Sequence, residues 1–132
     1  MKKHGMVLVV GIILLALSVM VAGCGKKEAG GDKLQAAIEA VAGEKTPENY
    51  LTLSLRYYEV KQFDKCIEAA QESIKLKSDF APAYNNICAA YNSQNMWAKG
   101  IEACQQALKI DPGFQLARNN LNWALSAKTS PK

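Results

Sequence analysis

The chain repeats itself at an interval of thirty-four residues, and this period constrains its fold more than any other feature. When the sequence is shifted by that interval, residues 47–80 align with residues 81–114 without a gap. A fixed period of this length is typical of stacked helical repeats, in which each unit buries its apolar face against the next one. The identical pairs include Tyr50 with Tyr84, Tyr57 with Tyr91, Lys65 with Lys99, Gln71 with Gln105, Lys75 with Lys109 and Phe80 with Phe114.

Each copy has the pattern of two amphipathic helices. In the second copy a polar segment at 92–95 separates two apolar stripes, and Asp111-Pro112-Gly113 ends the second helix. Proline cannot continue a helix, and glycine accepts the left-handed backbone angles that often follow one. Each copy is therefore predicted to be a helical hairpin. The stripes, at helical spacing, are Tyr84, Ile87, Cys88 and Tyr91, followed by Ile101, Cys104 and Leu108.

The residues at these positions resemble the tetratricopeptide repeat. In that repeat the first helix has, in order, an aromatic residue, an aliphatic residue, a small residue and a tyrosine. The second helix has a small residue, and a proline closes the repeat. The second copy has Tyr84, Ile87, Cys88, Tyr91, Gly100 and Pro112, and the first copy Tyr50, Leu53, Ser54, Tyr57, Cys66 and Ser78. The departures are Ser78 for the proline, and Ala70 and Cys104 where an aromatic residue is usual. The resemblance implies an all-α solenoid of antiparallel helical hairpins, with about six helices after the N-terminal segment.

Partial repeats are expected on both sides of the two full copies. Residues 32–43 have the pattern of a second helix, with Asp32 as N-cap, and match the first copy at a shift of thirty-three. After Phe114, residues 115–127 keep the register of a first helix and are predicted to cap the array. Residues 128–132 are expected to form a mobile polar tail.

The N-terminus has the features of an export signal. A short basic start precedes the uncharged apolar run 6–22, which is a little short for the alternative, an uncleaved membrane-spanning helix. At the end of this run, the segment Val21-Ala22-Gly23-Cys24 resembles the lipobox of bacterial lipoproteins. That resemblance implies removal of residues 1–23, lipidation of Cys24 and anchoring in the bacterial cell envelope, with residues 24–31 as a tether. Because Gly25 replaces the aspartate typical of inner-membrane lipoproteins, the outer membrane is the expected location.

The composition argues against several classes of function. The whole chain has a net charge of +4, but residues 32–127 carry ten basic and eleven acidic side chains, so no basic surface for nucleic acid is expected. The only histidine is His4, in the segment that export removes. The mature chain would therefore lack a histidine for nucleophilic catalysis or for a metal site. We expect no catalytic residue, no metal and no cofactor.

Three cysteines follow Cys24, and each occupies a small or apolar position between helices of the predicted hairpins: Cys66, Cys88 and Cys104. These positions favour three buried, unreactive thiols. A disulfide between Cys88 and Cys104 is the alternative, because both lie on facing helices of one hairpin and the envelope is oxidising. Redox or metal chemistry is a third interpretation, although the spacings of twenty-two and sixteen residues fit no metal-ligand pattern.

The resemblance also implies a binding surface. In such solenoids the first helices line a concave groove, and in this family the groove receives peptide segments of partner proteins. Amide side chains there would pair with peptide backbone, and apolar side chains would contact apolar residues. Asn86 and Asn120, thirty-four residues apart, resemble the asparagine ladder by which some members hold peptide backbone. The groove positions are Leu51, Leu55, Tyr58, Glu59, Asn85, Asn86, Ala89, Asn92, Ser93, Asn119, Asn120 and Trp123.

The groove lacks the basic side chains that one group of family members uses to bind partners. Those that bind chaperone tails hold a terminal carboxylate with lysine and arginine, and the matching positions here are Leu51, Leu55, Leu116 and Asn120. We therefore expect a protein partner with an apolar or neutral segment, and a function as a non-enzymatic assembly adaptor at the membrane.

Two other functions remain open. One is a self-associating structural lipoprotein that pairs through the apolar ends of the array, at Leu34 and Ile38 or at Trp123 and Leu125. The other is the thiol-based redox or metal protein described above.

Overall fold

The computed structural model describes residues 29–129, and it confirms the all-α fold. No strand occurs in this range. The export signal, Cys24 and residues 130–132 lie outside the described residues, so the predictions about them are not addressed by the structure. The six helices are α1 (Ala29–Gly43), α2 (Pro47–Glu59), α3 (Phe63–Leu76), α4 (Ala81–Ser93), α5 (Trp97–Ile110) and α6 (Gln115–Thr129).

Helix α1 begins three residues earlier than the sequence indicated. Asp32, the predicted N-cap, lies in the first turn, and Ala29–Gly31 of the predicted tether are helical. An acidic side chain there still interacts favourably with the positive end of the helix dipole. A β-carbon on Gly30 would lie 3.4 Å from Cγ1 of Val60, so the first turn of α1 packs close to the end of α2. Gly30 and Gly31 are thus helical despite the low helix propensity of glycine. At the other end, α6 continues to Thr129, beyond the predicted limit at residue 127.

The hairpin turns are the same in both repeats. Lys61 and Asn95, which are thirty-four residues apart, both adopt left-handed backbone angles, with φ of 62° and 59°. Before α2, the Thr46 side chain accepts a hydrogen bond from the Asn49 backbone N–H at 3.1 Å, and Pro47 occupies the first turn. This is the cap that the sequence indicated, because proline at the start of a helix loses no hydrogen bond.

The helices pack in sequence order as a solenoid. Each helix contacts the next one, and the first helices of successive repeats, α2, α4 and α6, also contact one another. The core between them consists largely of small residues, so the helix backbones approach closely. Fully buried examples are Cys66, Ala70, Ala83, Cys88, Ala90, Cys104, Ala107, Ala117 and Ala124. Within residues 29–129 no helix is long and apolar enough to cross a membrane.

Candidate functional site

The three first helices share a cleft, which we call the inner cleft, with a volume of about 190 Å³. Six of its seven lining residues are groove positions that the sequence indicated. The seventh, Leu116, is not a predicted groove position. In the sequence it only matches a position that is basic in family members that bind chaperone tails. The lining residues are Leu55 and Tyr58 from α2, Asn85, Asn86 and Ala89 from α4, and Leu116 and Asn120 from α6.

The inner cleft is uncharged and has apolar walls. Leu55 and Leu116 expose 42% and 53% of their surface, which is high for leucine. Tyr58 forms part of the lining, and its hydroxyl shares a hydrogen bond of 3.1 Å with the Ser93 hydroxyl of α4. None of the seven lining side chains is acidic or basic. The cleft can therefore accept apolar side chains, but it offers no charged partner to an anion.

Asparagines connect the first helices along the inner cleft. Asn86 Nδ2 donates to Ser54 Oγ at 2.6 Å, and Asn120 Nδ2 donates to Asn85 Oδ1 at 2.9 Å. Both bonds join one first helix to the preceding one, so these amide groups are used partly for internal structure. The side-chain oxygens of Asn86 and Asn120 accept no hydrogen bond from another described residue. They remain as acceptors for a peptide N–H.

Asn92 does not belong to the groove, contrary to the sequence-based prediction. It is 2% exposed and donates through Nδ2 to the Asn120 backbone oxygen at 3.2 Å and to Cys88 Sγ at 3.4 Å. Its side-chain oxygen is buried and accepts no hydrogen bond from a described residue. The amide points inward because Gly100, on the facing helix, has no side chain and leaves room for it.

Three other predicted groove positions lie outside the inner cleft. Leu51 packs against the central core. Glu59 forms an exposed ion pair with Arg56 at 2.8 Å. Asn119 accepts a hydrogen bond from Gln115 on the same helix at 2.9 Å. These side chains are already engaged with neighbours, and the structure does not bring them to the cleft.

Trp123, also predicted in the groove, packs against an aromatic residue at the end of the array. Its ring lies 5.1 Å from that of Trp97, edge to face at 80°. This geometry is favourable for aromatic pairs. Trp123 still exposes 52% of its surface. No sequence pattern predicts this contact, because Trp97 begins α5 and lies far from Trp123 along the chain.

Cys88 and Cys104 are joined by a disulfide, so the expectation of three free thiols holds only for Cys66. The two α-carbons are 5.2 Å apart, within the range that a disulfide can span. Cys66 is fully buried, and burial raises the pKa of its thiol to about 12. Its Sγ donates to the Asn86 backbone oxygen at 3.8 Å. Among residues 29–129 no group of three or more histidine, cysteine or acidic residues could hold a metal.

Comparison with known proteins agrees with this architecture. The model of the tetratricopeptide repeat family matches residues 81–114, the second of the two repeats. No curated protein matches the chain in sequence. The crystal structure of MamA is similar, with a TM-score of 0.69 and 26% identity, over 75% of this chain and 58% of the MamA chain. The chain thus spans less than two thirds of that relative.

Two further solved structures share the fold at lower identity. The NMR structure of the first tetratricopeptide domain of human RPAP3 has a TM-score of 0.71 at 15% identity, covering 75% of this chain and 79% of its own. The first such domain of Spaghetti (RPAP3), bound to the HSP90 peptide SRMEEVD, has a TM-score of 0.71 at 16% identity. The match covers 76% of this chain and 81% of the Spaghetti chain. The fold is therefore a helical solenoid of the tetratricopeptide type.

Proposed function

We propose, from a chain that carries a tetratricopeptide repeat at residues 81–114, that this protein is a non-catalytic interaction module whose inner cleft binds an uncharged peptide segment of a partner. The observation that carries the proposal is the composition of the cleft: apolar walls, amide groups and no charge among its seven lining side chains. Leu55 and Leu116 would contact apolar side chains of the segment. The free side-chain oxygens of Asn86 and Asn120 would accept hydrogen bonds from its backbone.

The same composition argues for a partner different from that of Spaghetti. The peptide in that structure, SRMEEVD, ends in three acidic residues among its last four. A carboxylate that enters a cleft without a cation loses its hydration and gains no ion pair, which is unfavourable. We therefore propose that an acidic tail is excluded and that a neutral, partly apolar segment is selected.

We propose further that the module is held at a membrane surface of the bacterial envelope, the outer membrane in particular, through a lipid on Cys24. Only residues 24–28 would separate the lipid from the first residue of α1. Five extended residues span roughly 17 Å, so the array would stay close to the bilayer. Such tethering raises the effective concentration of any partner at the same surface, which compensates for the modest affinity expected of a small cleft.

The binding part of the proposal can be tested in cells that express the full chain. A photoreactive amino acid in place of Leu55 should crosslink to a partner protein through a neutral segment. The matched control is Leu76, which is 52% exposed on α3 and does not line the inner cleft. Equal crosslinking from both positions, or none from Leu55, would contradict binding in the inner cleft.

The anchoring part needs a separate measurement. Cells grown with labelled palmitate should incorporate the label into the full chain, and Cys24→Ser should abolish incorporation. The mature protein should begin at residue 24 by mass spectrometry. An unlabelled protein, or one that keeps residues 1–23, would exclude the lipid anchor without affecting the proposal for the cleft.

A further inference from the structure

The first and last helices of the array are complementary halves of one hairpin. α1 packs on α2 in the manner in which a second helix packs on the following first helix. Asn49 Nδ2 donates to the Ala40 backbone oxygen at 3.3 Å, and at the equivalent place two repeats later Ala117 packs against Ala107. At a shift of thirty-three, Ala40 corresponds to Ser73, the counterpart of Ala107. α1 is therefore a second helix without its own first helix, within the described residues.

α6 presents the opposite situation, because it is a first helix that no second helix covers within residues 29–129. Leu125, on α6, is 45% exposed, whereas its counterparts Tyr57 and Tyr91 are half-buried. On α1, Ala36 is exposed, whereas its counterpart Ala69 is 6% exposed. Each end of the array thus exposes a face that the full repeats bury.

In each full repeat, the two helices of the hairpin form what we call an outer cleft. Its volume is about 300 Å³ in the first repeat and about 330 Å³ in the second. The lining positions are the same in both, thirty-four residues apart. They are Tyr50, Leu53, Tyr57, Lys65, Glu68, Ala69 and Glu72 in the first, and Tyr84, Ile87, Tyr91, Lys99, Glu102, Ala103 and Gln106 in the second.

The ends of the array supply these same positions from two different helices. On α6, Arg118 and Leu125 occupy the two tyrosine positions of the first helices α2 and α4. Leu121 occupies the position between them, which is Leu in α2 and Ile in α4. α1 has Ala36 at the alanine position and Glu39 at the position of Glu72. The positions of Arg118 and Glu39 line the same outer cleft in both full repeats, as Tyr50 and Glu72 in the first and Tyr84 and Gln106 in the second.

At the two ends an arginine, Arg118, occupies the tyrosine position and a glutamate, Glu39, the position of Glu72, so the two positions carry opposite charges. Arg118 is exposed and donates through Nη2 to the Pro112 backbone oxygen at 2.5 Å. Glu39 is exposed and accepts a hydrogen bond from Gln35 at 2.9 Å. An arginine and a glutamate brought together at a partly covered interface attract each other, whereas the leucines and Ala36 would lose exposed apolar surface.

We propose that the chain associates head to tail with a second copy of itself, with α6 of one copy and α1 of the next forming a third hairpin. The contact leaves one free end on each copy, so association is open-ended. A single helix pair is smaller than the roughly 1,200 Å² of a stable specific interface, and association is therefore weak and dependent on concentration. The proposal does not rest on the function of the inner cleft.

The test uses the full chain in cells, with a photoreactive amino acid at Leu125. The expected product is a covalent dimer in which residue 125 is joined to residues 29–43 of a second copy, as identified by mass spectrometry of the crosslinked peptide. The control position is again Leu76, which has comparable exposure but lies on neither end helix. It should give no such dimer.

Charge reversal then tests the proposed pairing. Arg118→Glu and Glu39→Lys should each lower the yield of the dimer about fivefold, and the two changes in one chain should restore it. Lys109→Glu, a reversal at an exposed residue of α5, is the matched control and should leave the yield unchanged.

The alternative outcomes all contradict the proposal. Crosslinks from residue 125 to residues 1–28 of the same chain, or to a different protein, would identify another occupant of the exposed face. No crosslink, or no recovery in the doubly reversed chain, would exclude the head-to-tail contact. In each case the crosslinking from Leu55 would still report independently on the inner cleft.

Discussion

The side-chain oxygen of Asn92 occupies the space beside Gly100 so closely that a β-carbon on residue 100 would lie 1.9 Å from it. Asn92 is held there by its bonds to the Asn120 backbone oxygen and to Cys88 Sγ. The glycine therefore permits a buried polar side chain at the contact of α4, α5 and α6. Its absence of a side chain has a packing reason rather than a conformational one, since its φ is not positive.

The first prediction concerns this contact. Gly100→Ala should destabilise the fold by about 1–2 kcal/mol, because the overpacking cost exceeds the gain in helix propensity of about 1 kcal/mol. When Asn92→Ala is added, the double variant should lose less free energy of unfolding than the sum of the losses in the two single variants. Gly31→Ala is the control, since a β-carbon there would meet nothing within 4 Å. Urea unfolding measures the parent protein, the two single variants, the double variant and the Gly31→Ala control, and equal stabilities of Gly100→Ala and Gly31→Ala would refute the packing argument.

The second prediction concerns the disulfide between Cys88 and Cys104. Reduction should lower the free energy of unfolding by about 3 kcal/mol, the value for a loop of about fifteen residues. For a domain of about 100 residues this lowers Tm by about 10–20 °C. Thermal unfolding followed by circular dichroism, with and without reductant, measures the shift. The Cys88→Ser, Cys104→Ser double variant should be insensitive to reductant. A wild-type Tm that reductant does not change would show that the bond does not form.

The third prediction concerns the thiol of Cys66. Burial raises its pKa to about 12, so the thiol stays protonated and inaccessible in the folded protein at pH 8. Mass spectrometry of individual peptides should show no maleimide on residue 66 in native protein, and complete labelling in urea. Rapid labelling of the native protein would support the alternative of a redox function.

The same pKa predicts how stability depends on pH. Between pH 9 and 12 the unfolded chain releases the thiol proton and the folded chain retains it. The contribution of this thiol to the free energy of unfolding is therefore fully present below pH 9 and is lost progressively as the pH rises. The expected contribution of this thiol is a loss of about 1.4 kcal/mol per pH unit within that window. Cys66→Ala should show a shallower decline than the parent protein in urea unfolding at pH 9 and 10. Parallel declines would rule out this titration.

The fourth prediction concerns the selectivity of the inner cleft. The peptide SRMEEVD, bound in the Spaghetti structure, should show no binding to this chain at concentrations up to about 1 mM. Introducing cations with Leu55→Lys and Leu116→Arg should make binding measurable by fluorescence polarisation at low salt. Affinity of the unchanged protein for this peptide would contradict the exclusion of acidic tails.

The repeated architecture was predictable, because the thirty-four-residue period fixes the register of every apolar stripe in both hairpins. The end helices followed from the same register, apart from the start of α1. There the two glycines suggested a tether, yet both are helical, and Gly30 lies close to Val60 at the end of α2. Local propensity could not have shown that contact.

The details of the site were less predictable, because they depend on which way a side chain turns at the edge of a helix face. Asn85, Asn86 and Asn120 reach the inner cleft, while Asn92 turns inward toward Gly100. Helical spacing alone does not distinguish these cases. The disulfide was likewise open, since spacing along the chain does not give the 5.2 Å between the α-carbons of Cys88 and Cys104.

The disulfide also makes the two hairpins differ in their resistance to local opening. It ties α4 to α5, whereas α2 and α3 are held together by packing and hydrogen bonds without a covalent link. Local opening therefore requires less free energy between α2 and α3 than between α4 and α5, and the second hairpin remains closed when the first one frays. Amide hydrogens in α4 and α5 should accordingly exchange with solvent last, and a protease should cut within the first hairpin before it cuts within the second.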